Sequence, residues 1–440
     1  MYFKTLLTCL LAVILTNAHS QEINHSCGFD HWRHHVKETQ PDLARDIDER
    51  YQSWIEQSRY QQRVDTVYQI PVVFHIVHNT PEQNLPDSVV HSQLEVLNED
   101  YRRLNANSVE TREEFLPVAA DVGIEFVLAD FDPEGNPTDG IVRVETDREN
   151  FELDFLSQDN TLDEVKFSET GGSNAWNTDA YLNIWVCNIS GGFLGQVFGL
   201  AYPPEGVPNW PDDAEAPSSE ASGVIIHFTT LGRNNPHHAL DDVAENNQGR
   251  TLVHEIGHYL GLRHIWGDAI PFLGEDGCEA DDGLADTPNA AAADNFACNL
   301  TSNSCTDSPE DFPDMIENYM DYSQDACMNM FTQEQADMMR FALTELRPGL
   351  INSPAVGVEE STFASELLIF PNPTEHRLSI ESPMAIDQLE LLDQTGRQLM
   401  HYDNLNGARA TLSVEGIASG SYFLRILAGG EVAVKKIAVK

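Results

Sequence analysis

His254-Glu255-Ile256-Gly257-His258-Tyr259-Leu260-Gly261-Leu262-Arg263-His264 is the stretch on which the reading of this 440-residue chain turns. On a helix, residues four apart share a face, so His254 and His258 can hold one ion between them. Glu255 projects beside them, placed to act as a base rather than a ligand. Gly261 supplies the positive φ that ends a helix, and the turn lets His264 reach the same ion from another side. Three neutral imidazoles leave zinc one open position, the mark of a catalytic rather than a closed structural site. With 28 Gly and 16 His in 440 residues, requiring the added Gly and His cuts chance matches by a further factor of roughly 0.002.

Gln69-Ile70-Pro71-Val72-Val73-Phe74-His75-Ile76-Val77 predicts a central strand. Residues 89–105 follow, with Val90, Leu94, Leu97, Tyr101 and Leu104 at helical spacing. Strand-like runs recur at 124–128, 141–144, 181–186 and 223–228, before the helix expected over 251–262. This order predicts a mixed α/β domain. Residues 267–325 are loop-like and hold three of four clustered cysteines, Cys278, Cys298 and Cys305, with Cys327 just beyond. A last helix is expected over 332–346, ended by Pro348-Gly349.

The ends of the chain differ from its middle. Residues 1–20 read as a signal peptide: Lys4, an apolar stretch over 6–15, and the small-x-small site Ala18-His19-Ser20. Residues 21–63 are polar and charged, with a surface helix expected over 42–57, and read as a propeptide. The catalytic domain is expected over 64–350 and a linker over 351–362. Residues 363–440 carry short alternating strands at 367–370, 377–381, 388–392, 422–426 and 432–439, the pattern of a small β-sandwich. The formal net charge of −46 excludes nucleic acid and anionic membranes as partners and leaves acidic loops available for calcium. No later segment is long and apolar enough for a transmembrane helix, so a secreted protein with no stable membrane insertion is expected. Of seven cysteines, Cys9 leaves with the signal peptide, and Cys27 and Cys187 stand apart from the cluster.

Several blocks in order strongly resemble the pappalysin family of metzincin peptidases. They are His254 to His264 continuing as Ile265-Trp266-Gly267-Asp268, then Asp286-Thr287-Pro288, then Asn318-Tyr319-Met320-Asp321-Tyr322-Ser323, then Cys327-Met328-Asn329-Met330-Phe331-Thr332. Leu182-Asn183-Ile184-Trp185-Val186 and Ser190-Gly191-Gly192 resemble the edge strand of the family's upper sheet. The resemblance covers roughly residues 65–347. It implies an α+β metzincin domain with a mixed twisted sheet, an active-site helix and a Met-turn at Met320. Activity is then zinc-dependent hydrolysis of peptide bonds in proteins.

The resemblance further implies that Tyr322 stabilises the tetrahedral intermediate. It makes Asp325 an acid lining the pocket for the residue after the scissile bond, favouring Arg or Lys. It pairs Cys278 with Cys305 and Cys298 with Cys327, where spacing alone allows three pairings. It gives a calcium loop at Asp282, Asp286 and Thr287. Cys27-Gly28-Phe29-Asp30 resembles the cysteine switch of latent members; a Cys27–Cys187 disulfide is the alternative. Arg59 and Arg63 are the expected activation cuts, and extended substrate is expected to add as a strand along residues 182–186.

Leu368-Ile369-Phe370-Pro371-Asn372-Pro373, Gly420-Ser421-Tyr422-Phe423-Leu424 and Lys435-Lys436-Ile437 resemble the C-terminal sorting domain of type IX secretion. This implies that machinery as a partner and a location outside the cell or at its surface. The rival reading is a secreted adhesion protein whose zinc and calcium only staple the fold.

Overall fold

A computed structural model of the chain describes residues 27–59, 66–153, 161–191, 197–204, 216–238, 246–267, 277–294, 298–306, 311–353, 367–374, 376–392, 398–429 and 431–440. The signal segment 1–20, Arg63, Gly192, Asp268 and most of the 351–362 linker lie outside the described residues. The chain divides into two compact units, residues 1–356 and 357–440, each taken by itself below.

The first unit is built around β1 (Tyr68–His78), whose residues 70–77 are all buried. Such a run, apolar on both faces, is what a parallel strand covered on both sides requires. Its first half pairs in parallel with β2 (Ile124–Leu128) and its second half with β3 (Ile141–Glu145). On the other side lie, in order, β4 (Leu182–Cys187), β5 (Gly199–Ala201) and β6 (Val224–His227), arranged as β1-β4-β6-β5. Only β5 is antiparallel, and it forms the edge. Pro71, normally excluded from central strands, sits one residue before the β4 ladder begins at Val72, so its missing N–H interrupts no pair there.

The edge is therefore not where the sequence reading placed it. Residues 182–186 belong to β4, held between β1 and β6 with every side chain buried. The edge strand is the three-residue β5, too short to carry a period.

Helix α1 (Gly28–Thr39) and helix α2 (Pro41–Ser58) precede the sheet. Leu43, Ile47, Tyr51, Trp54, Ile55 and Ser58 recur at helical spacing on the buried face of α2, so it is docked rather than a surface helix. Helix α3 (Asp87–Tyr101) stops short of 105: Arg103 takes φ 49°, and Leu104 is 70% exposed. Helix α4 (Arg250–Tyr259) carries the first two histidines. Tyr101 Oη donates to the Val253 carbonyl at 3.0 Å and ties α3 to α4. Helix α5 (Gln333–Phe341) opens on a Thr332–Gln335 capping box and widens into a π-helical turn at Ala342–Leu346. The helical path ends at Leu346, as expected, with Arg347 at φ −128°, and Pro348 opens a further short helix, Pro348–Ile351. Disulfides join Cys278 to Cys305 and Cys298 to Cys327, and closing loops of 27 and 29 residues restricts the unfolded chain by roughly 3–4 kcal/mol each. Cys27 and Cys187 are not joined to each other.

The second unit is all-antiparallel. Its strands are β7 (Leu368–Phe370), β8 (Arg377–Leu392), β9 (Gln398–Ser413), β10 (Gly420–Ala428) and β11 (Glu431–Val439), ordered β7-β8-β10-β11 with β9 on the other side of β8. The two strands expected at 377–381 and 388–392 are one strand, broken in register between Glu381 and Ile386, where Pro383 cannot donate to a ladder. Leu378, Ile380, Leu389, Leu391, Leu424 and Ile426 fill its separate core, consistent with a β-sandwich. Among the described residues no helix is long and apolar enough to cross a membrane.

Candidate metal centre

Helix α4 begins after Gly249 at φ 78° and ends at Gly261 at φ 92°. Its end is a Schellman turn: Leu262 N donates to the Gly257 carbonyl and Gly261 N to that of His258, each at 2.9 Å. This turn folds His264 back toward the helix. The Nε2 atoms of His254, His258 and His264 then stand 3.1–3.2 Å from one another. His254 Nδ1 lies 2.7 Å from the Tyr319 carbonyl and His258 Nδ1 2.9 Å from that of Leu262. A carbonyl only accepts, so both rings carry their proton on Nδ1 and turn the Nε2 lone pair inward. Ligands about 2.0–2.1 Å from a tetrahedral zinc are about 3.3 Å apart, so the triad fits such a cation.

The triad is walled by aromatic rings and sulfur. Trp266 stacks on His264 at 4.3 Å, and Tyr322 packs against both at 4.8–4.9 Å. Met320 lies under α4 so closely that a Cβ on Gly257 would come within 2.4 Å of its sulfur. Glu255 is fully buried beside the triad, and a Cβ on Gly199 of β5 would meet its carboxylate at 2.6 Å. That glycine lets edge strand and acid approach each other.

Cys27 completes the cluster: its Sγ lies with the three imidazoles inside a sphere of contacts no longer than 4.8 Å, and 3.5 Å from Glu255 Oε2. It is the N-cap of α1 and accepts from Phe29 N at 3.3 Å. Phe29 stacks on His258 at 4.2 Å. Cys27 pairs with Gly199 in parallel, and a Cβ on Gly28 would crowd the Gly199 carbonyl at 3.0 Å.

A second group lies at the N-terminal end of α4. Asp325 accepts from Gln248 N at 2.7 Å and Arg250 N at 3.3 Å, both on Oδ2. Burial pushes its carboxyl up to about 6. It lines a small pocket with Arg250, His254, Glu255 and Tyr322. Arg250 is buried, bonded through Nε to Asp100 Oδ2 at 3.1 Å and through Nη1 to the Asp325 carbonyl. The sequence reading missed Arg250, Asp100 and Gly199; nothing local marks residues whose partners lie up to 150 positions away.

Near α2, Asp282 is buried. Its Oδ1 accepts from Leu284 N and the Thr287 hydroxyl, and its Oδ2 accepts no hydrogen bond among the described residues. Asp286 Oδ2 accepts from Glu334 N, and its buried Oδ1 likewise accepts no hydrogen bond among the described residues. Burial raises both carboxyls above their usual range.

A parallel sheet with one antiparallel edge strand, over a helix that presents two histidines and a glycine turn that returns a third, defines a metzincin-type metallopeptidase. The model of the family described as "Pregnancy-associated plasma protein-A" matches residues 166–344, and that of "Secretion system C-terminal sorting domain" matches 368–440. A mutant promirolysin from Tannerella forsythia is 35% identical, with a TM-score of 0.60 over 76% of this chain and 100% of its own. Mature mirolysin with a cleaved peptide is 37% identical, with a TM-score of 0.54 over 66% of this chain and 99% of its own. An extracellular metalloprotease of Arthroderma benhamiae is 26% identical over 283 residues, 64% of this chain and 79% of its own. The chain belongs to the pappalysin family of metzincin peptidases and ends in a secretion sorting domain. It is a metalloendopeptidase, and the family implies a catalytic zinc.

Proposed function

We propose that the chain is a secreted zinc endopeptidase made in a latent form, with His254, His258 and His264 as zinc ligands. The convergence of three inward-facing Nε2 atoms carries this reading. A zinc ion held there supplies Lewis acidity to the scissile carbonyl and to water. Glu255 takes the attacking water's proton and delivers it to the leaving amine. The Tyr322 hydroxyl steadies the oxyanion. Extended substrate adds antiparallel to β5, the free edge beside Glu255, rather than along 182–186.

Asp325 Oδ1, clear of the two bonds to Oδ2, is offered to a basic side chain following the scissile bond. Peptide-library cleavage by the activated chain, with cuts mapped by mass spectrometry, tests this. Cuts before Arg or Lys are expected, and Asp325→Asn should lower kcat/KM for them by roughly 10–100-fold while sparing cuts before Leu. Because the acid must be ionised, the preference should fade as pH falls through about 6. Cuts without basic preference would discard the pocket. A folded, zinc-loaded chain that cuts nothing would favour the adhesion reading.

Residues 21–63 act as the propeptide and Cys27 as its switch. The Phe29 N–H at the head of α1 donates to the Cys27 sulfur and would support it as a thiolate on a bound zinc. The parallel pairing at Gly199 runs opposite to the direction proposed for substrate, so the segment blocks the cleft without presenting a bond to cut. Comparison with the relatives supports it, since the pro-form spans 76% of this chain and the mature form 66%. Full-length Cys27→Ala should cut peptides at least about tenfold faster than full-length wild type. Equal rates would remove the switch. Arg59, ion-paired to Glu334 at 2.9 Å, and Arg63 are the proposed cutting points. The buried oxygens of Asp282 and Asp286 that accept no hydrogen bond among the described residues support a calcium ion in the 282–287 loop. The sorting domain delivers the protein through the type IX machinery to protein substrates outside the cell.

A further inference from the structure

The propeptide holds the enzyme at a second point, away from the metal. Arg263, the residue between Leu262 and His264, donates through Nη2 to Asp48 Oδ1 at 2.8 Å, and its guanidinium lies 4.0 Å over the ring of Tyr51. Arg33 shares the same Asp48 oxygen at 2.8 Å. Arg263 is buried under this cover. Asp48 and Tyr51 both belong to α2 and leave with residues 21–63.

The position of Arg263 gives this contact a meaning for substrate. The Asp325 pocket lies at the N-terminal end of α4, against Arg250 and His254. Arg263 lies past the C-terminal end, beyond Gly261. Strand β5 runs the same way: Gly199 is against Glu255, while Pro204, three residues past the strand, is 3.7 Å from where a Gly261 side chain would begin. A substrate antiparallel to β5 that places its downstream residue in the Asp325 pocket passes its upstream residues toward Tyr202 and Arg263. Trp32 of the propeptide already packs edge-on against Tyr202 at 6.2 Å.

We propose that Arg263, once residues 21–63 are released, forms an upstream subsite that takes an acidic side chain of the substrate, with Asp48 as its stand-in in the latent chain. This rests on the peptidase reading and on the Asp325 pocket that orients the cleft. On a protein with 71 acidic and 25 basic residues, it predicts a substrate acidic upstream of the cut and basic just after it.

The test uses full-length chain activated by release of residues 21–63. Peptides carry Arg after the scissile bond and alanine upstream, with Glu, Gln or Lys placed at one upstream position at a time. At one position, Glu should exceed Gln in kcat/KM by roughly fivefold, chiefly through KM, with Lys below Gln. In Arg263→Gln the Glu-to-Gln ratio should fall to about one, and in Arg263→Glu the order should reverse in favour of Lys, which a merely structural role would not produce. A wild-type ratio near one at every position, or a preference for Glu that survives Arg263→Glu, overturns the proposal. If no peptide is cut, the alanine peptide included, the peptidase reading has failed. Binding of fluorescein-labelled Glu and Gln peptides, read by anisotropy, then decides the subsite alone: tighter Glu peptide keeps it, equal affinity removes it.

Discussion

Replacing Glu255 by alanine should lower kcat of the activated chain by about 10²–10⁴-fold and leave the zinc in place. The carboxylate is fully buried, but it is not among the atoms of Cys27, His254, His258 and His264 that converge on the metal position. Its Oε2 instead faces the fourth corner, where the Cys27 thiol lies 3.5 Å away. Whatever replaces that thiol is within proton-transfer reach of the same oxygen. Glu255→Ala should therefore bind zinc with the stoichiometry of wild type, read by elemental analysis, and unfold at a similar temperature. Glu255→Gln keeps the volume and should lose as much activity, because an amide cannot accept the proton. A variant that keeps more than about a tenth of wild-type kcat would assign the base elsewhere.

The second large effect is on stability. Arg250→Met should destabilise the N-terminal unit by about 3–5 kcal/mol, because it strands Asp100 as an unpaired buried carboxylate. Asp100 is 2% exposed, and burial already lifts its carboxyl above the usual range while Arg250 pulls it back. Arg250 also bonds the Asn107 side chain and the Asp325 carbonyl, so one guanidinium fastens α3, the segment after it and the wall of the pocket to α4. Denaturant unfolding should show the loss, and Arg250→Met with Asp100→Leu should recover much of it. A loss under about 1 kcal/mol would mean that relaxation or water compensates the carboxylate.

The histidine triad was legible because its geometry is local: eleven residues contain the helix, the glycine that ends it and the returning ligand. The order of the sheet was not. Resemblance gives the run Leu182–Val186 to the edge, although the strand that holds it, Leu182–Cys187, has six buried positions in succession, which describe a strand covered on both sides. The true edge, Gly199–Ala201, shows no pattern at three residues. The docked face of α2 was present in its spacing but diluted by acids and arginines, and β9 was hidden by Asp403, Asn404, Asn406 and Gly407, which read as turn residues. The disulfide pairing came with the family resemblance, since spacing left three choices. The Arg250–Asp100 pair joins residues 150 apart and has no local mark.

The pocket at the N-terminal end of α4 is lined by residues 246–328, and none of its lining side chains comes from α1 or α2. In the proposed latent form, α1 and α2 would close one half of the cleft and leave the other half built. A small molecule that uses only this pocket would meet the same walls in the stored and the working protein, whereas one that reaches Arg263 would recognise the working protein alone.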